Sequence, residues 1–365
     1  MLFRSAVKSL ILGTASAMSL LIGTAAAAQT PPNTGGIVRD AHLPAYRKFG
    51  FTVAGLYDTD RDRAAALAAA WGIGTVFGSL AEAAAADAVF DVAAPPGAHD
   101  AILAALPVGA TVLLQKPMGL DLAMATAIRQ RCRNRELIAA VNFQLRYSPM
   151  MLALADAVAQ GRLGELVEIE VHLNLVTPWH LFPHLKNDAR VEMVSHSIHY
   201  LDAIRALAGD PVGVFARSFG YPSSELADTR TTAMLDYGDT LRATLSINHH
   251  HDFGRRFQDA SFRVEGTRGA AMVKLGLLLD YPTGEPDELW LADRGGDWTP
   301  VPLRGGWFPD AFAGPMANLQ RFAAGEDAVL ATHVEDAWKT MALVEAAYAS
   351  NRAPMAPIPT EGPTL

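Results

Sequence analysis

From Arg39 to about Val141 the chain alternates short apolar runs with alanine-rich stretches that have room for helices. "FTVAGLYD" (51–58) reads as a strand, and "DRDRAAALAAAW" (60–71) follows as a helix with Asp60 as its cap and no breaker inside. "AVFDVAAPP" (88–96) is the next apolar run, stopped by two prolines, with "HDAILAAL" as its helix. "GATVLLQKP" (109–117) is another buried strand, after which Asp121 can cap "LAMATAIRQRCR", and "LIAAVNFQLR" (137–146) closes the series. Strands alternating with helices over this length predict a parallel, doubly wound sheet.

Beyond Tyr147 the rhythm changes. After the helix "PMMLALADAVAQG", the run "ELVEIEVHLNLV" (165–176) puts Val167, Ile169, Val171, Leu173 and Leu175 on one face and Glu168, Glu170, His172 and Asn174 on the other. Such alternation belongs to a sheet wetted on one side. Residues 231–251 read as two strands joined at "DYGD", and "ASFRVEGTRGAAMVKLGLLLDYP" adds another pair with Gly266 and Gly269 at its turn. Helices return at "VSHSIHYLDAIRALAG", "GPMANLQRFAAG" and "VEDAWKTMALVEAAYAS". The second half is thus an α+β domain, mostly antiparallel. The divisions read from the chain are 1–28, 29–144 for the doubly wound half, 145–350 for the α+β half, and a tail over 351–365.

The first 28 residues support two readings. Arg4 and Lys8 precede an apolar run, and "AAAAQ" offers a small-residue cleavage site after Ala28, as in an export signal that would send the protein to the periplasm or out of the cell. Alternatively "SLILGT" (9–14) or "SLLIGT" (19–24) is the first strand of the sheet, which keeps the segment and favours the cytoplasm. Because the first strand is central in a doubly wound sheet, the balance tips toward retention. No later run is long and apolar enough to suggest a membrane span. The net charge of −8 gives no basic footprint for nucleic acid or an anionic membrane, so a small molecule is the expected partner. Cys132, the single cysteine, rules out disulfides within the chain and makes a cysteine-based metal site improbable.

Candidate chemistry begins at "TPPNTGGIVRDAHLPAY" (30–46). A dinucleotide fingerprint places one glycine in a tight turn, a second where the backbone meets the pyrophosphate and a third where helix and strand pack. Here Asn33 holds the first place, Val38 the third, and only Gly35, with Gly36 and Ile37 beside it, keeps the middle. Asp58 follows Gly35 near the spacing of about 20 residues at which a carboxylate accepts the ribose hydroxyls, favouring NAD over NADP. Arg61 and Arg63 weaken that preference, leaving NADP open. Lys116 stands where an apolar strand stops, at the sheet edge where ligands bind, and a lysine there can share a proton with a substrate oxygen during hydride transfer. In "NHHH" (248–251), His249 and His251 would share a strand face, but two imidazoles make an incomplete metal site, and no metal is expected.

"GGIVRDAHLPAY", "GLYDTDRDRAAALA", "DVAAPPGAHDAILAAL", "VLLQKPMG" and "VNFQLRYSP", in this order, resemble the Gfo/Idh/MocA oxidoreductases, the family of glucose-fructose oxidoreductase and inositol dehydrogenase. "HSIHYLDAIRALAGDP", "VEGTRGA" and the closing helix resemble the same family's second domain. The resemblance implies a Rossmann domain joined to an open, mostly antiparallel sheet domain, and NAD(P)-dependent oxidation or reduction of sugars, cyclitols or similar polyols. It implies that Lys116 and His199 are catalytic, with Gln115 and Ser195 where the family carries carboxylates; His196, Glu192 or a substrate group are the alternatives for the carboxylate missing at Ser195. Pro95, Pro96 and His99 match the turn over the nicotinamide ribose, where Gln115 would also lie. Arg146 matches a strand end near the substrate. Asn174, Trp179, His180, Ser195 and His196 are further substrate-side candidates, and a homodimer or homotetramer is expected from the open sheet.

Overall fold

A computed structural model of the chain describes residues 18–23, 36–181, 183–280 and 283–355. Strands β1 (Met18–Gly23), β2 (Thr52–Asp58), β3 (Val89–Val92), β4 (Thr111–Leu114) and β5 (Ile138–Val141) form one parallel sheet in the order β2-β1-β3-β4-β5. Val76 adds a single parallel bridge to Leu56 on the far side of β2. Counting it as a rudimentary strand restores the doubly wound order 3-2-1-4-5-6. The central strand, Met18–Gly23, overlaps the second of the two N-terminal alternatives, residues 19–24; the first, residues 9–14, lies outside the described residues.

The sequence's capping signals act as expected. In α2 (Arg61–Trp71), preceded in the chain by α1 (Leu43–Phe49), the Asp60 carboxylate accepts from the Arg63 N–H, and Gly72, at φ 67°, ends the helix in the left-handed conformation. A short α3 (Leu80–Ala84), not read from the sequence, is capped by Ser79. α4 (His99–Ala105) and α5 (Leu122–Asn134) follow, the latter capped by Asp121. Ahead of α1, residues Val38–His42 form a π-helical turn in which Leu43 N–H reaches back to the Val38 carbonyl. The offset comes immediately before Pro44, which has no N–H to continue the regular ladder.

After α6 (Pro149–Ala159), the second sheet is built from β6 (Leu166–Asn174), β7 (Gly213–Phe219), β8 (Arg230–Asp236), β9 (Arg242–Asn248), β10 (Asp259–Gly266), β11 (Gly269–Lys274), β12 (Glu288–Asp293) and β13 (Thr299–Pro300). Its order is β13-β12-β11-β10-β6-β9-β8-β7, antiparallel throughout except at β6–β9. β7, β12 and β13 had no clear sequence signal. Along β6, Ile169, Val171 and Leu173 are buried while Glu168, Glu170, His172 and Asn174 stay partly open, as the alternation requires. α7 (Ile198–Ala208) packs behind β6. The chain then returns to the first sheet: α8 (Ala313–Ala323) lies against β4 and β5, and α9 (Val334–Arg352) touches α5, α7 and β7. A single buried apolar cluster therefore runs from Phe90 and Val112 to Tyr200 and Phe262, coupling both sheets.

Candidate active site

The carboxyl ends of the parallel strands converge on one edge, and the signals read from sequence lie along it. Asp58 ends β2, Pro95 and Pro96 follow β3, and Gln115 and Lys116 follow β4. From the other half, the segment before α7 begins with a second π-helical turn, Met193–Ser197, and delivers Ser195, His196 and His199. Lys116 Nζ donates to the Ser195 carbonyl at 2.8 Å, so the lysine of the first half and the helix of the second meet directly. No carboxylate contacts Lys116 among the described residues, and desolvation brings its ammonium down to about 8. His199 is buried, with its Nδ1 lacking a partner among the described residues. Burial, then the charge of Lys116, hold it well below the ordinary histidine value. His196 is lowered by burial first, then by His249, Lys116 and His199. The imidazoles are neutral beside a charged or readily discharged amine, a combination suited to passing a proton.

Three rings line this region. Trp179 meets His196 and His249 edge-on, at centroid distances of 4.8 and 5.3 Å, and the two imidazoles lie 4.9 Å apart. Behind them His249 Nε2 is 3.3 Å from the buried Glu192 carboxylate, and His249 Nδ1 is 2.6 Å from the Thr177 hydroxyl. From sequence, His249 reads as a substrate-facing or structural residue that shares a strand face with His251. In the structure β9 ends at Asn248, His249 turns inward, His250 stacks on Tyr221, and His251 meets Phe253. Among the described residues no group of three or more His, Cys, Asp or Glu side chains could hold a metal ion.

Several expectations need correction. Arg146 does not face the site: it makes a bidentate pair with Asp202 at 2.6 Å and another pair with Asp336 at 2.7 Å. His99 is fully buried against the Ala94 carbonyl at 3.0 Å, so it braces the Pro95–Pro96 turn instead of reaching a ribose. Asn174 belongs to the open face of the second sheet, bonded to Asn248 and to the Phe257 carbonyl. His180 is exposed, one residue beyond the ring that joins the cluster. Ser195 meets Lys116 through its backbone and not its hydroxyl. Asp58 occupies the predicted strand end, but its carboxylate already accepts from Arg63 at 2.8 and 3.2 Å. Gly35 lies outside the described residues, whereas Gly36 and Ile37 open the first helical segment, and among the described residues nothing lies within 4 Å of where a Cβ on Gly36 would sit.

That edge fits a dinucleotide. No described residue crowds the helix start at Gly36, a carboxylate stands at the β2 end, and the buried Gln115 amide oxygen lacks a partner among the described residues. Residues 34–143 match the oxidoreductase family with an NAD-binding Rossmann fold, and residues 151–272 match the GFO/IDH/MocA C-terminal domain.

The chain is a Gfo/Idh/MocA oxidoreductase.

This oxidoreductase is 26% identical over 330 residues to D-apiose dehydrogenase of Paraburkholderia graminis, covering 85% of this chain and 84% of that protein. It is also 26% identical over 260 residues to 1,5-anhydro-D-fructose reductase of Ensifer adhaerens, covering 68% and 75%. In fold it superimposes with a TM-score of 0.74, at 21% identity and over 92% and 96% of the two chains, on an oxidoreductase from Agrobacterium radiobacter crystallised with NAD+, L-tartaric acid and magnesium. The enzyme is thus an NAD-binding oxidoreductase of the dehydrogenase and reductase type.

Proposed function

We propose that this enzyme moves a hydride between a nicotinamide and a secondary alcohol or carbonyl carbon of a sugar, cyclitol or similar polyol. The observation that carries the reading is the Lys116–Ser195 contact, which joins the strand-end lysine to the histidine-bearing segment. Names of the similar proteins, D-apiose dehydrogenase and 1,5-anhydro-D-fructose reductase, support the polyol class. Gly36 and Ile37 would meet the pyrophosphate, Asp58 the adenosine ribose, and Pro95, Pro96 and Gln115 the nicotinamide end. The nicotinamide, when bound, supplies or accepts the hydride. Lys116, brought to about 8, releases and recovers a proton close to neutral pH, as transfer with a substrate oxygen requires. His199 stays neutral and offers a lone pair without repelling the amine. Trp179 gives the hydroxylated ring an apolar face to lie on.

Asp58 favours NAD, while Arg63, already on that carboxylate, keeps NADP within reach. Retention of residues 1–28 is supported by β1 at the middle of the first sheet, and a cytoplasmic enzyme follows from retention. No described helix is long and apolar enough to cross a membrane. The open face of the second sheet carries exposed Phe215, Phe219 and Met234, which supports burial against a second copy in a dimer or tetramer.

The test is formation of reduced nicotinamide across a panel of sugars and inositols with both cofactors. In Lys116→Met, turnover of an accepted polyol should fall by about 10²–10⁴-fold while nicotinamide binding stays close to wild type. Unchanged turnover overturns the assignment.

A further inference from the structure

Glu192 is a fully buried carboxylate that the proposed hydride transfer leaves unused. Its Oε1 accepts from the Ser197 hydroxyl at 2.7 Å and lies 3.3 Å from His249 Nε2, while its Oε2 has no partner among the described residues. Its own N–H and that of Val191 are both fixed on Asp228 Oδ1, at 3.0 and 2.8 Å, which pins the backbone. If the Thr177 hydroxyl donates to His249 Nδ1, the ring hydrogen sits on Nε2 and points at Glu192, satisfying both nitrogens. The line then runs from Glu192 through His249 to His196, whose ring lies 4.9 Å away and which feels both Lys116 and His199. A buried carboxylate without an arginine or lysine is costly, and it is tolerated where its charge supports a proton elsewhere.

We infer that Glu192, acting through His249, is a positioning residue for proton transfer at Lys116 and His199. It holds the Trp179–His196–His249 wall in one orientation and places a carboxylate behind it, where no described residue sets one against Lys116. The inference rests on the reading of Lys116 and His199 given above. The other titratable groups around this pair are Asp228, Tyr200 and Tyr348 near Glu192, His250 near His249, and Lys116 and His199 near His196. Their complement is unchanged by a substitution at 192, so a shift in pH behaviour reports on that carboxylate.

Glu192→Gln keeps the shape and removes the charge. It should lower kcat by about 10- to 100-fold with little change in KM, move the acidic limb of the kcat/KM profile, and leave the melting temperature near wild type. Glu192→Asp should recover part of the loss. His249→Asn attacks the same link from the other side and should reproduce the kcat effect if Glu192→Gln fails to fold. A readout independent of turnover is the titration of the His196 ring signal in histidine-labelled protein, which should take up its proton at lower pH once the carboxylate behind its neighbour is gone. Wild-type kcat, pH profile and ring titration in Glu192→Gln overturn the inference. If Lys116→Met is inactive while Glu192→Gln behaves as wild type, this inference fails and the reading of Lys116 stands. If Lys116→Met keeps its turnover, the reading itself fails.

Discussion

Two polar clusters lie within the same fold, and they are balanced differently. Around Arg146 every charge is met: it pairs with Asp202 and Asp336, Arg205 pairs with Asp336 and Asp210, Thr340 bridges Arg205 and Asp202, and Lys339 reaches Asp210. Around Lys116 the pairing is incomplete: the amine has a backbone carbonyl, His199 Nδ1 and Glu192 Oε2 have no partner among the described residues, and burial lowers the lysine and two histidines together. A closed network has no capacity left for a ligand and serves as a joint between α7, α9 and the segment before α6. An open one keeps donors and acceptors for something that is not protein. Polar side chains within one fold are thus separated into structure and site by whether their bonds are already spent.

The largest way to break this comparison is to open the closed cluster. Arg146→Ala leaves Asp202 buried and unpaired and should cost about 3–5 kcal/mol of stability by denaturant unfolding. The turnover of the molecules that remain folded should stay close to wild type; a selective loss of kcat would move Arg146 into the site. A smaller effect comes from acid. His196 and His199 are depressed in the folded state, so below about pH 6.5 the unfolded chain binds protons that the folded chain refuses, and stability falls as pH drops from there. Thermal melts between about pH 7.5 and 5 should show a steady decline that is reduced in a His196→Asn, His199→Asn double variant. A flat profile would mean these rings are not held neutral. The smallest expected change tests an intermediate case, the partly exposed Asp58–Arg63 pair. Arg63→Ala frees the carboxylate for the ribose and removes a cation that would suit a 2′-phosphate, so preference for NAD over NADP should rise by up to about tenfold in binding titrations. A shift toward NADP would contradict the role given to Asp58.

Much of this was legible in the chain because it depends on local rules. Caps at Asp60 and Asp121, the proline stop after β3, and the one-sided alternation of β6 each follow from neighbours a few residues away. Lys116 was legible for the same reason, since a lysine at the end of an apolar strand has only one edge to occupy. β7 was not, because its partners β8 and α9 come later in the chain and its own run, Gly213–Phe219, shows no clean alternation, with Ala216 alone buried. Arg146 and His99 were misplaced because their family-like motifs fix the strand end and not the direction of the side chain. Arg146 turns toward acids 56 and 190 residues away, and nothing near it in sequence announces them.

The alternation of strands and helices in the first half, the chemistry available at its strand ends and the absence of a basic or disulfide-stapled character were determined by the amino-acid sequence alone. Period, caps and charge are short-range properties of the chain. Only the tertiary structure decided that part of the apolar N-terminal run pairs as the central strand, that Glu192 stands behind His249, and that Lys116 and Ser195 touch. Those contacts join segments far apart in the chain, and it is the burial of one shared core that brings them together.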